Sequence, residues 1–180
     1  VKIIGSSHGG CVRLVGSKAA GVTNLAALKG KTVGVSDLAA PGKHFFTILL
    51  AKNGIDPDKD ITWRQYPADL LNLAVEKGEA DGICGLSWST LKASNPDWIQ
   101  NKRLNVLVQT GSKPHYELPD TPLLIDLVKS DTDKKVVDLI SFSEDMGRPF
   151  VMPPGTPEHL VQAVRRGFDA TMKDPDFLED

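Results

Sequence analysis

The stretch from residue 28 to residue 85 leaves this chain few folds to choose from. LKGKTVGVSDL, AAPGKHFFTILLAKNGI and YPADLLNLAVEKGEADGICG succeed one another as strand, tight loop, helix, strand, helix, strand. Strands alternating with helices in this way build a mainly parallel sheet flanked by helices, an α/β architecture. Residues 32–36 are a short β-branched run bounded by Gly30 and Asp37, suited to a strand buried on both faces. A loop of small residues, Ala39, Ala40, Pro41 and Gly42, hands over to a helix over 44–53, where Phe45, Ile48, Leu49 and Lys52 recur at helical spacing and Gly54 supplies the stop. In open α/β sheets ligands sit beyond the carboxyl ends of the strands, and a helix N-terminus there favours an anion. Gly42 lets a ligand approach the backbone and Lys43 adds charge. The same residues also suit a plain βα loop.

The pattern continues on both sides. Residues 1–6 and 12–16 read as short strands joined through Ser7, His8, Gly9, Gly10 and Cys11. Residues 61–66 read as a strand, 68–77 as a helix with Leu70, Leu71, Ala74 and Val75 on one face, and 80–85 as a strand. Ser87 stands where it can cap the next helix, whose packing side carries Leu91 and Trp98. Another strand spans 104–109. From 111 to 121 the prolines break regular structure. Beyond them the sequence predicts an apolar helix over 122–129, an amphipathic helix over 133–145 and a long helix over 158–173, which is faced by Leu160, Val161, Val164, Phe168 and Met172 and opened by Thr156 and Pro157.

Composition excludes several classes of function. With 21 basic and 23 acidic residues and a net charge of −2, the chain has no electrostatic footprint for nucleic acid or an anionic membrane. No apolar run approaches the roughly 20 residues that span a bilayer. The chain opens at Val1 without a charged and apolar leader, as expected of a mature segment or a fragment. Cys11 and Cys84 lack the spacing of a zinc or redox motif. They suit either two buried small hydrophobes or, in an exported chain, a single disulfide.

Two sets of stretches resemble known families. HGGCVRL, NLAALKGKTVGV and NGIDPDKDITWRQYPADLLNLAVEKGEADG resemble the binding proteins of nitrate, sulfonate and thiamine-precursor ABC transporters, through their Leu-Lys-Gly-Lys and Gly-Glu-x-Asp strand entries. GICGLSWSTLKASNPDWI, KRLNVLVQTG, ELPDTPLL and GRPFVMPPGTPEHLVQAVRRGFDATMKDPDFL resemble tripartite tricarboxylate transporter receptors, which share the Leu-Pro-Asp-x-Pro hinge and the Pro-Pro-Gly-x-Pro helix entry. Both are type II periplasmic solute-binding proteins. A fusion, a chimera and a divergent lineage all fit the mixture.

The resemblance implies a periplasmic, non-enzymatic, cofactor-free component of a bacterial transport system, capturing a small anion or carboxylate between lobes and delivering it to a membrane permease. It also implies that 14–110 forms a complete binding lobe, that 1–13 and 111–180 form the crossover and part of a second lobe, and that the N-terminal part of the first lobe is absent. Surface meant for that part would be exposed and would favour a homo-oligomer.

The expected ligand contacts lie at strand ends: Ser36, Ala39, Pro41, Gly42 and Lys43 at the helix entry, Tyr66 and Pro67 after the second strand of the unit, Ser87, Trp88 and Ser89 after the third, and His8, Gly9, Gly10 and Cys11 at the crossover. Hydroxyls and N–H groups can hold a carboxylate or sulfonate, and an aromatic ring can cover an apolar body. Each has a structural alternative: Trp88 and Tyr66 as core, Ser87 as a cap, His8 as a turn residue. Arg148 suits either a ligand carboxylate or a surface ion pair. An enzyme built on His8 and Cys11 lacks a recognisable third member, and the cysteine-rich signature of the pyrimidine-synthesising relatives of thiamine-precursor binders is missing. An effector-sensing domain would share the lobe topology, without a helix-turn-helix segment in this sequence.

Overall fold

The computed structural model describes residues 1–6, 12–145 and 147–178. The chain divides into two compact units, Gly10–Glu144 and Val1–Gly9 with Asp145–Asp180.

In chain order the strands are β1 (Lys2–Ser6), β2 (Val12–Ser17), β3 (Lys31–Val35), β4 (Ile61–Gln65), β5 (Gly82–Ser87), β6 (Leu104–Gln109) and β7 (Pro149–Met152). The α-helices are α1 (Pro41–Lys52), α2 (Leu71–Glu76), α3 (Trp88–Ser94), α4 (Pro96–Gln100), α5 (Asp131–Asp145), α6 (Glu158–Thr171) and α7 (Pro175–Leu178).

The larger unit is built on a five-stranded sheet in the order β4-β3-β5-β2-β6. β3 pairs in parallel with β4 and β5, whereas β2 runs antiparallel to both β5 and β6. Four strands therefore share one direction, and their carboxyl ends meet the amino end of β2 along one edge.

Alternation along the strands sorts side chains to two faces. Leu14, Val33, Val35 and Cys84 join one buried cluster with Phe46, Leu49 and Leu50 of α1 and Val137 of α5. Val15, Ile83 and Leu86 join the other with Leu71, Ala74 and Val75 of α2, Leu91 of α3 and Trp98 of α4. Each large apolar side chain so buried contributes about 1.5–3 kcal/mol. On α1 the sequence expectation captured Leu49 but missed Phe46 and Leu50; Ile48 remains 55% exposed.

Residues 111–144 stay with the larger unit, although the sequence reading grouped them with 1–13. The reason is burial and hydrogen bonding: Leu124, Val128 and Val137 enter the first cluster, and Gln109 hooks the segment after β6. The apolar helix expected over 122–129 is reduced to a 3-10 stretch at Leu124–Leu127. Asp126 Oδ2 accepts the Leu123 N–H at 3.1 Å, and Val128 returns to extended backbone, so the segment buries its apolar side chains without a longer helix.

In the smaller unit β1 and β7 form an antiparallel pair, and α6 packs on it through Val161, which is fully buried. Phe168 lies 5.4 Å from Phe150 between ring centroids and against Gly5, where any Cβ would fall within 2.3 Å of its ring. Leu160 and Val164, expected on the packing face, are each 46% exposed. Thr156 does not cap α6: its hydroxyl donates to the Pro153 carbonyl at 2.9 Å, and the helix starts at Glu158. Among the described residues no helix is long and apolar enough to cross a membrane.

Candidate functional site

The shared edge of the larger sheet brings together Ser36, Tyr66 and Ser87 at the ends of β3, β4 and β5, Arg13 at the start of β2, and Gln109 and Thr110 at the end of β6. The first three were expected; the second three were not. Arg13 is 2% exposed, Thr110 3% and Gln109 fully buried. A guanidinium stays charged wherever it is placed, so a buried positive charge belongs to this edge. One of its amino groups donates to the Val12 carbonyl at 3.1 Å.

α1 starts at the same edge. Asp37 Oδ1 accepts the Ala39 N–H at 2.8 Å, turning the exposed loop toward the helix. Ala40 supplies no side-chain cap, which leaves the helix dipole's positive end open. Gly42 serves packing: a Cβ there would lie 3.2 Å from Val12 Cγ1 and 3.9 Å from the Gly85 Cα. Lys43 turns its ammonium over the Trp63 ring, 5.2 Å from the centroid, a cation–π contact on β4. Ser36 and Ala39 are exposed.

The other expected contacts are also tied into the fold. The Tyr66 hydroxyl donates to the Glu79 carbonyl at 3.2 Å, and Pro67 precedes a 3-10 turn at Ala68–Leu70. Ser87 caps α3, accepting the Thr90 N–H, and stands 3.0 Å from the Ser89 hydroxyl. Trp88 is 9% exposed and packs in the second cluster, with Nε1 donating to Glu117 Oε2 at 2.6 Å. His8, Gly9, Gly10 and Cys11 lie outside the described residues. Arg148 is exposed, with a left-handed φ of 52°. Cys84 is a buried free thiol; burial pushes its pKa up to about 12 against the opposing charge of Lys43, which keeps it protonated and unreactive at neutral pH.

A strap over 111–121 crosses from β6 to α3. Gln109 holds it with three bonds: Nε2 donates to the carbonyls of Leu118 (3.0 Å) and Thr121 (2.7 Å), and Oε1 accepts the His115 N–H (2.9 Å). The strap carries Glu117, whose second oxygen accepts from Lys92 Nζ at 2.8 Å. Burial raises the Glu117 pKa, but the bonds from Lys92 and Trp88, with the positive charges nearby, hold it below the usual range. His115 stacks on Tyr116 with centroids 4.6 Å apart and stands 6.5 Å edge-on from Trp88. Tyr116 is 80% exposed. A lone arginine in an apolar strand and a glutamine closing another were the sequence signals for Arg13 and Gln109.

Burial and then the charge of Arg13 lower the His115 pKa, with Glu117 pulling the other way. Its Nδ1 accepts the Glu117 N–H at 3.2 Å, as an unprotonated nitrogen must. A depressed folded-state pKa means that protonation favours the unfolded chain. The contribution is therefore complete above the ordinary value of about 6.5 and is lost as pH falls. The Tm advantage of the parent over His115→Ala is expected to shrink between pH 7.5 and 5. A difference that stays constant would remove His115 as its source.

Two concavities of ligand size lie away from the α1 entry. One of about 560 Å³ takes in Trp88 and Glu117, and another of about 440 Å³ opens at the amino edge beside Ser17 and Leu104. The strand ends and the buried charge of Arg13, rather than either concavity, mark the candidate ligand edge on the carboxyl side.

No protein-family model matches the sequence, and no curated protein matches it. The fold is similar to that of a TctC solute binding protein from Polaromonas, a crystal structure without ligand, with a TM-score of 0.63, 15% identity, and 95% of this chain and 55% of that chain covered. It is also similar to R. palustris Rpa4515 with adipate (0.58, 16%, 97% and 55%) and to the periplasmic binding protein BugD (0.54, 15%, 95% and 55%). The chain therefore has the type II periplasmic solute-binding fold. At these identities the likeness is one of fold, and the chain spans 55% of the length of each of these neighbours.

Proposed function

We propose that the chain is the solute-binding component of a bacterial transport system, holding a small anion or carboxylate at the carboxyl edge of its larger unit. The observation that carries this reading is the buried charge of Arg13 on the same edge as the uncapped start of α1. A fixed cation and a helix N-terminus act together on an anion, and Ser87 and Ser89 add hydroxyl groups. The solute-binding proteins that share the fold support the same role. In this reading the binding lobe is built on residues 14–110 with 111–144 packed into the same unit, while Val1–Gly9 and Asp145–Asp180 belong to a second, partial lobe. The protein works in the periplasm, hands its solute to a membrane permease and carries out no catalysis. Outward-facing Val136, Leu139 and Phe142 on α5, exposed by 49%, 73% and 62%, support a second copy as a further partner.

A thermal-shift series with dicarboxylates, aromatic carboxylates, sulfonates, nitrate and thiamine precursors tests the reading. Ligand at about 100-fold excess over Kd stabilises by about 2.7 kcal/mol, or roughly 5–10 °C for a chain of this size. One chemical class is expected to give that rise in the parent. The rise is expected to vanish in Arg13→Met, each protein being scored against its own baseline. No rise with any class would overturn the assignment.

A further inference from the structure

We infer that the concavity at the amino edge of the large sheet is a second ligand site, separate from the carboxyl edge, for a small organic anion with a flat apolar body. Its volume of about 440 Å³ falls within the range of small-molecule pockets. It lies where β2 ends and β6 begins, with Ser17 in register with Leu104 and the Lys18 N–H bonded to the Arg103 carbonyl at 2.9 Å. The floor is apolar: Val75, Leu104 and the indole of Trp98, a residue only 2% exposed. The indole N–H donates to Glu76 Oε1 at 3.1 Å, so the acidic group in the lining already holds a donor. The rim is cationic, formed by Lys18, Lys102 and Arg103. Arg103 is 3.5 Å from Asp97, whereas Lys18 and Lys102 have no ion-pair partner among the described residues.

The backbone at Lys102 supplies an independent argument. The Lys102 N–H bonds to the Ile99 carbonyl at 3.1 Å and the Arg103 N–H to the Trp98 carbonyl at 2.8 Å. These two bonds make a Schellman ending for α4, with Lys102 at its left-handed position, φ 49°. That position favours glycine, because a Cβ is strained there. Lysine stands where glycine would relieve the turn, and Lys102 lies in the lining of the concavity. The second concavity, of about 560 Å³, shares Trp98 and Lys102 but has Glu117 and Asp120 in its wall, the wrong sign for an anion.

The test uses 2-naphthoate, with 2-naphthylmethanol as its uncharged counterpart, followed by the indole N–H cross-peaks of Trp63, Trp88 and Trp98. Saturable movement of the Trp98 peak by 2-naphthoate is expected, with little movement by the alcohol. Lys102→Gly is expected to weaken binding about fivefold, the loss of one partly exposed charge contact, while raising Tm by about 2–4 °C as the strain is relieved. Lys102→Arg, which keeps the charge, is expected to bind within about twofold of the parent. Equal response to the alcohol, undiminished affinity in Lys102→Gly, or a shift confined to Trp88 would each overturn the assignment. None of these readouts depends on the carboxyl-edge site.

Discussion

Gln109→Met is expected to lower the free energy of unfolding by about 3 kcal/mol and to expose the strap over 111–121 to protease. Methionine keeps the length and most of the volume of the side chain, so the change isolates the hydrogen bonds from any cavity. It leaves the His115 N–H and the Leu118 and Thr121 carbonyls without their common partner. Each buried backbone group left unsatisfied costs about 1–3 kcal/mol, and release of the strap to water caps the total. Gln109 is completely buried, so water does not replace it in place. A shift in the denaturant midpoint with cleavage confined to the strap is the expected result. A midpoint within about 0.5 kcal/mol of the parent would show that the strap holds without its hook. Because the strap carries Glu117 against Trp88 and Lys92, its release would also loosen the start of α3.

Gly82→Ala is expected to be as damaging, for a steric reason. Gly82 sits in the middle strand of the sheet, opposite Gly16 on β2 and Val33 on β3. A Cβ there would meet the Val15 carbonyl oxygen at 2.5 Å. The obstacle is backbone in a hydrogen-bonded ladder, so relief requires moving strands, and overpacking of this kind costs about 3 kcal/mol. Gly34→Ala in the neighbouring strand is the control: its Cβ would meet Leu71 Cδ2 at 3.0 Å, the free end of a side chain that can rotate away, at a cost below about 1.5 kcal/mol. Equal losses in the two variants, measured by chemical denaturation, would contradict the steric account.

These two residues mark where sequence reading succeeded and where it stopped. The βαβ order from Lys31 to Ser87 was legible because β-branched runs, glycine stops and a 3.6-residue apolar period all agree there. Ser87 as the cap of the helix after β5 and Leu91 on its packing side were legible for the same local reason, whereas Trp98, expected on that same helix, is buried from the separate helix α4. The segment over 122–129 was misread because its apolar residues suit a helix, while its actual form is set by burial against strands remote in sequence. Gln109 and Arg13 were missed because a polar residue in an apolar strand shows its partners only once the sheet order is known. Among the expected ligand residues, Lys43, Tyr66 and Trp88 each have a neighbour within the fold that holds them, contacts that strand-end position alone does not disclose.

The antiparallel strand β2 has a consequence for how the chain acquires its structure. It lies between β5 and β6, yet β3, α1, β4 and α2 separate it in sequence from β5, and those elements with β5, α3 and α4 separate it from β6. Closing such long loops costs entropy before any pairing returns it, which slows folding of this topology relative to one of local contacts. On the ribosome β2 emerges before both partners, so one of its hydrogen-bonding edges waits for Gly82–Ser87 and the other for Leu104–Gln109. Until then the ladder of Val12–Ser17 is open to pairing with a strand of another chain.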